Sequence, residues 1–206
     1  LHGRYGPDVN AEFLIDFIKR HREEPFLAYY VMLLPHFPWE PTPDSPEPLS
    51  RAAGGRGDPK YFPDMVAYMD RLVGRIVAAV DELGLSRRTL IVFSADNGTQ
   101  QPLQSLWGPE RRIVRGGKGR LTDTGTRVPL IARWTGTIAP GSKCHDLIDF
   151  SDFLPTFVDL AGASVPEKPI NGRSFLPHLL GRKGQPRSWV HVQDHDRRYV
   201  RSRNWI

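Results

Sequence analysis

The chain has 206 residues, 39% hydrophobic and 25% charged, with a formal net charge of +5. That length and composition suit one ordinary globular core and exclude a disordered or fibrous chain. The basic residues are scattered and no aromatics interleave with them as a base-stacking platform requires, so nucleic acid is the weakest partner and an anionic small substrate accounts for the charge equally well.

No apolar run approaches the eighteen or so residues that span a bilayer, and the single cysteine, Cys144, excludes an internal disulfide. In chain order, Phe13, Leu14, Phe17 and Ile18 at helical spacing predict a helix over 8–22, with Asp8 or Asn10 as its cap. The continuous apolar run Phe26 to Leu34 predicts a strand buried on both faces of a parallel sheet, with His36 just past its carboxyl end. The proline-rich stretch 38–59 predicts an irregular surface loop. From Tyr61 to Leu83 apolar residues recur at three and four, predicting a long amphipathic helix stopped by Gly84. Thr89 to Ser94 reads as a second buried strand, completing a right-handed βαβ crossover. A glycine-rich basic loop over 98–127 precedes a third strand, 128–134. A helix capped by Ser151 or Asp152 runs to Ala161, a shorter one covers 174–180, and 189–192 and 199–206 read as closing strands. This alternation predicts an α/β sheet with helices on both faces. The chain opens almost inside a helix and stops inside a strand-like run, which reads as a piece of a longer protein.

In open α/β sheets ligands gather beyond the carboxyl ends of the strands, where this reading places His36, Asp96 and Asn97. Asp96 and Asn97 set a carboxylate beside an amide oxygen, hard donors suited to calcium or magnesium; the alternative is an Asx turn ending a strand. Arg115 to Arg120, with three glycines among its cations, gathers backbone N–H groups and positive charge as an oxyanion site needs. It lacks the spacing of a phosphate-binding loop, and its alternative is a solvated basic loop. His36, between two prolines, has no role that sequence alone assigns.

Taken together, Pro35-His36-Phe37-Pro38, Phe93 to Gly98, Gly117-Lys118-Gly119, Arg127-Val128-Pro129 and Ser151 to Thr156 resemble the type I sulfatases of the alkaline phosphatase superfamily in content, order and spacing. The resemblance implies an incomplete alkaline-phosphatase-like α/β domain over 1–186 and the start of a small antiparallel carboxyl-terminal sheet over 187–206. It implies hydrolysis of a sulfate ester by a formylglycine, an aldehyde made from cysteine or serine. It also implies a Ca2+ ion, with Mg2+ as the lesser choice. Asp96 and Asn97 would be metal ligands, and Lys118 would contact the sulfate. His36 would serve the leaving-group oxygen as donor or general acid, while Arg127 would be structural.

Two departures stand out. Asp123-Thr124-Gly125 replaces the Glu-Gly-Gly of many members. Cys144 sits in Lys143-Cys144-His145-Asp146 rather than the Cys-x-Pro-Ser-Arg signal for aldehyde formation, and no serine equivalent is present, so Cys144 reads as an ordinary buried thiol and the nucleophile as belonging to an amino-terminal part. Partners on this reading are sulfated small molecules or glycans, in the periplasm or secreted. The other readings are a phosphodiesterase or phosphonate hydrolase of the same superfamily, and a non-catalytic module binding anionic glycans.

Overall fold

The computed structural model describes residues 3–47, 57–164 and 169–204 and divides into two compact units, Leu1–Thr89 and Leu90–Ile206. In the first, helix α1 spans Gly6–Arg20 and helix α2 spans Phe62–Glu82, introduced by a 3-10 turn at Pro59–Tyr61. The three-and-four spacing read from the sequence is the buried stripe of α2: Met65, Tyr68, Leu72, Ala79 and Val80, packed with Ala11 and Ile18 of α1. Each large apolar side chain buried there is worth about 1.5–3 kcal/mol relative to exposure. Asp8, in the first turn of α1, accepts from Tyr68 Oη at 2.6 Å and from Arg75 at 2.8 Å, tying the two helices with charge-assisted bonds. Burial, followed by that bond to the Asp8 carboxylate, pushes the Tyr68 phenol up to about 12. Gly84 ends α2 as expected, at φ +69° with the Leu85 N–H reaching back to the Val80 carbonyl.

The predicted strand at Phe26–Leu34 does not form. The segment pairs with no strand among the described residues, and Leu27, Tyr29, Val31 and Leu33 are exposed while Leu34 is buried. Apolar composition makes a segment able to enter a sheet, but strand structure needs a neighbour's N–H and C=O groups, and the described residues supply none here. The parallel crossover therefore fails as well. Residues 48–56 of the predicted proline-rich loop lie outside the described residues.

The second unit holds three two-stranded antiparallel sheets. Strand β1, Ile91–Ser94, pairs with β4, Leu130–Arg133, in the register Ile91 with Arg133 and Ser94 with Leu130. Within the basic loop, where the sequence predicted no element, β2 at Gln104–Trp107 and β3 at Arg112–Arg115 form a hairpin, and α3 is a single turn at Asp123–Thr126. Helix α4 spans Phe153–Leu160 and α5 spans Leu176–Leu179. Strands β5, Trp189–Asp194, and β6, Arg197–Ser202, form a hairpin at the predicted closing strands; residues 205 and 206 lie outside the described residues.

The start of α4 is fixed one step earlier than predicted. Asp149, not Ser151 or Asp152, caps a 3-10 turn at Phe150–Asp152 in a reciprocal capping box with Asp152. Asp152 is instead a buried hub. Arg187 donates to both of its carboxylate oxygens, and the backbone N–H groups of Asp149 and Arg173 add bonds of 2.8 and 2.7 Å. Burial alone would raise its pKa, but Arg187 and the two backbone donors outweigh it and hold the carboxyl below the usual range. No helix among the described residues is long and apolar enough to cross a membrane.

Candidate active site

Asp96 and Asn97 follow β1 directly, with Asp96 exposed and Asn97 half-buried. The Ser94 hydroxyl donates to the Pro129 carbonyl at 2.8 Å and anchors the strand end against the segment entering β4. The Asp96 carboxylate makes no hydrogen bond or ion pair among the described residues. The Asp96 side chain thus closes no Asx turn, and its exposed oxygens are open to water.

Lys118 is brought to the same turn by backbone contacts that only glycine permits. The Gly98 N–H donates to the Gly125 carbonyl at 2.8 Å, and the Lys118 N–H donates to the Thr99 carbonyl at 3.0 Å. A Cβ on Gly98 would lie 1.9 Å from the Thr124 oxygen, one on Gly117 would lie 2.8 Å from the Gly125 nitrogen, and one on Gly125 would lie 2.3 Å from the Gly117 oxygen. Three chain segments thus meet without side chains between them. Gly117 to Arg120 is a hydrogen-bonded turn, closed at 2.8 Å, with half-buried Lys118 at its second position and Gly119 at φ +75° at its third, the type II requirement. In Asp123-Thr124-Gly125 the variant pair replaces residues whose neighbour, Gly125, must stay small.

Sequence reading missed the brace on this turn. Alternate residues of β6 face it: Arg197 donates to the Gly119 carbonyl at 3.5 Å, Tyr199 Oη meets Thr126 Oγ1 at 2.5 Å, and Arg201 pairs with Asp123. The signal available was the period-two pattern of the closing strand, whose target on the loop the sequence does not name. Arg127 is largely exposed, with a 3.7 Å pair to Asp123 four residues back.

His36 belongs to the first unit, whereas Asp96, Asn97 and Lys118 lie in the second. It follows an extended segment rather than the predicted strand, and it is exposed. Its Nδ1 lies 2.6 Å from the Phe37 carbonyl, which can only accept, so Nδ1 carries a proton. Donation from Nε2 therefore requires the imidazolium.

Cys144 departs from expectation: it is exposed, not buried, and its thiol is grouped with Asp146 and His178. A short polar segment bracketed by Pro140-Gly141 and Asp149 gives no signal of exposure beyond its own polarity.

Against known proteins, the sequence model of the family described as Sulfatase matches residues 3–163. This chain belongs to the sulfatase family. The sulfatase chain is 36% identical over 170 residues to mouse (Mus musculus) steryl-sulfatase, covering 80% of this chain and 26% of that protein. To human (Homo sapiens) arylsulfatase A it is 36% identical over 168 residues, covering 82% of this chain and 31% of that one. Among solved structures, Ps i-CgsB in complex with k-i-k-neocarrahexaose superposes with a TM-score of 0.76 at 25% identity, over 97% of this chain and 45% of that one. The sulfatase chain thus spans between a quarter and a third of the length of the curated relatives it matches. Structural neighbours place the fold as alkaline-phosphatase-like, as the motifs implied.

Proposed function

We propose that the protein to which this chain belongs is a calcium-dependent sulfatase that cleaves a sulfate ester on a small molecule or glycan outside the cytoplasm. Family membership supports the reaction class. One observation carries the assignment of residues: the glycine-bracketed approach that sets the Gly117–Arg120 turn against the Asp96-Asn97 turn. Sulfate ester cleavage develops negative charge on the sulfuryl oxygens and the leaving oxygen, where fixed cations and donors act most strongly. Asp96 and Asn97 would supply two of the six to eight oxygens that Ca2+ takes. When bound, the ion supplies positive charge to the sulfuryl oxygens. Lys118 binds the sulfate and orients it, and His36, on its motif, donates to the leaving oxygen from Nε2 with Nδ1–H held by the Phe37 carbonyl. The nucleophile, a formylglycine, belongs to residues outside this sequence.

The test is turnover of an aryl sulfate and an aryl phosphodiester by the full-length protein, with and without a calcium chelator. Sulfate turnover lost on chelation and restored by Ca2+ supports the proposal, as does a loss of about 10²–10³-fold in Lys118→Ala. Faster turnover of the phosphodiester would establish the phosphodiesterase reading instead, and tight binding of a sulfated glycan without cleavage would establish the binding module.

A further inference from the structure

Cys144 and Asp146 lie two residues apart in an irregular stretch. His178, on α5, meets them: the thiol sulfur, a carboxylate oxygen and an imidazole nitrogen lie within 4.8 Å of one another. His178 is nearly buried, its side chain 12% exposed, and Gly184 lies so flat against the ring that a Cβ there would fall 2.4 Å from Cε1. Its Nε2 pairs with Asp146 at 2.9 Å, and Nδ1 is buried with no hydrogen-bond partner among the described residues. Nε2, the ring nitrogen beside Asp146, is therefore the atom the imidazole offers to the cluster.

We propose that Cys144, Asp146 and His178 form a metal site for a borderline-soft divalent ion of the zinc class. The donor set decides the class: calcium and magnesium take oxygens, whereas sulfur with imidazole selects zinc and its neighbours. A thiolate and a carboxylate together balance a dication. Tetrahedral coordination at zinc bond lengths separates ligand atoms by about 3.3–3.6 Å, a gap that the exposed Cys144 side chain can close by rotation. Three protein ligands leave a fourth position, open on the Cys144 side, through which the ion enters. Arg203 pairs with the other oxygen of Asp146 and helps orient the carboxylate toward the imidazole. A Cys–His–Asp nucleophile is the competing use of these residues, but Cys144 makes no hydrogen bond to the ring, as an activated thiol would. A bound ion would fasten the 144–146 segment to α5.

The test is titration of the reduced, untagged full-length protein with Co2+ and then Zn2+. The expected result is one equivalent of Co2+ producing a thiolate-to-metal charge-transfer band, displaced by one equivalent of Zn2+ and undisturbed by excess Ca2+. Cys144→Ser should abolish the band and weaken Zn2+ binding by at least tenfold while leaving the metal-free melting temperature unchanged, since the thiol is exposed. Asp146→Asn should weaken binding 10–100-fold. Absence of the band, or Zn2+ binding retained in Cys144→Ser, would overturn the proposal.

Discussion

Replacing Asp152 tests the reasoning about the second unit most directly. Asp152→Ala strands the Arg187 guanidinium, whose side chain is 11% exposed, and removes the acceptor for the backbone N–H groups of Asp149 and Arg173. Breaking a buried pair by removing one partner costs about 3–5 kcal/mol, which at this chain length lowers the melting temperature by about 6–20 °C. Asp152→Asn should be nearly as damaging, because its amide nitrogen turns a donor toward donors. The assay is urea or thermal unfolding of wild type, Asp152→Ala, Arg187→Ala and the double variant. Since the singles each leave the other member unpaired, the double should cost less than their sum by at least about 1.5 kcal/mol. Additive effects, or a single-variant cost below about 1 kcal/mol, would show that the hub is not a cooperative bracket and would sink the argument.

The remaining predictions are narrower. Because the Asp152 carboxyl is held below its usual range, its contribution is fully present above the ordinary aspartate value near about 4 and is lost as pH falls through the lowered one; unfolding midpoints of wild type and Asp152→Ala should converge in acid. Gly98→Ala, whose Cβ would meet the Thr124 oxygen, should destabilise by about 1–3 kcal/mol, whereas Gly74→Ala in α2, with open space around it, should stabilise by about 0.5–1 kcal/mol; equal melting temperatures would contradict the close-approach account. Tyr68→Phe should cost about 1.5–3 kcal/mol and remove one phenol ionising near about 12 from an ultraviolet pH titration. On the proposed function, Asp96→Ala in the full-length protein should raise the Ca2+ concentration needed for half-maximal sulfate turnover, with little change in melting temperature without metal; an unchanged requirement would remove Asp96 from the proposed ligands.

What sequence could and could not supply follows from the range of each interaction. The α2 stripe, its Gly84 stop and the closing hairpin are local patterns, and all three were legible. The Phe26–Leu34 strand was not, because pairing is a property of two segments and composition describes one. The β2–β3 hairpin was hidden in a basic loop, although Gly108-Pro109 between Leu106-Trp107 and Ile113-Val114 was an available turn signal. For the candidate site, residue types and order singled out Asp96, Asn97 and Lys118, and the structure adds the glycine contacts that bring their two turns together. Asp152 carried a motif but no visible purpose, since its partner Arg187 lies 35 residues on. The Cys144, Asp146 and His178 trio was unreadable for the same reason.

The β6 brace ties the position of Lys118 to a hairpin register. Arg197, Tyr199 and Arg201 reach the Gly119–Thr126 segment because they share one face; a slip of one residue would offer Arg198, Val200 and Ser202 there instead. Val200 cannot replace the Tyr199 hydroxyl, and Ser202 is too short to replace the Arg201 guanidinium. The turn that sets this register contains His195 at φ +55°, a conformation costly for a side-chain-bearing residue. Substitutions at His195, far along the chain from the Gly-Lys-Gly turn and outside every family motif, therefore have a route to altering how that turn presents its cation.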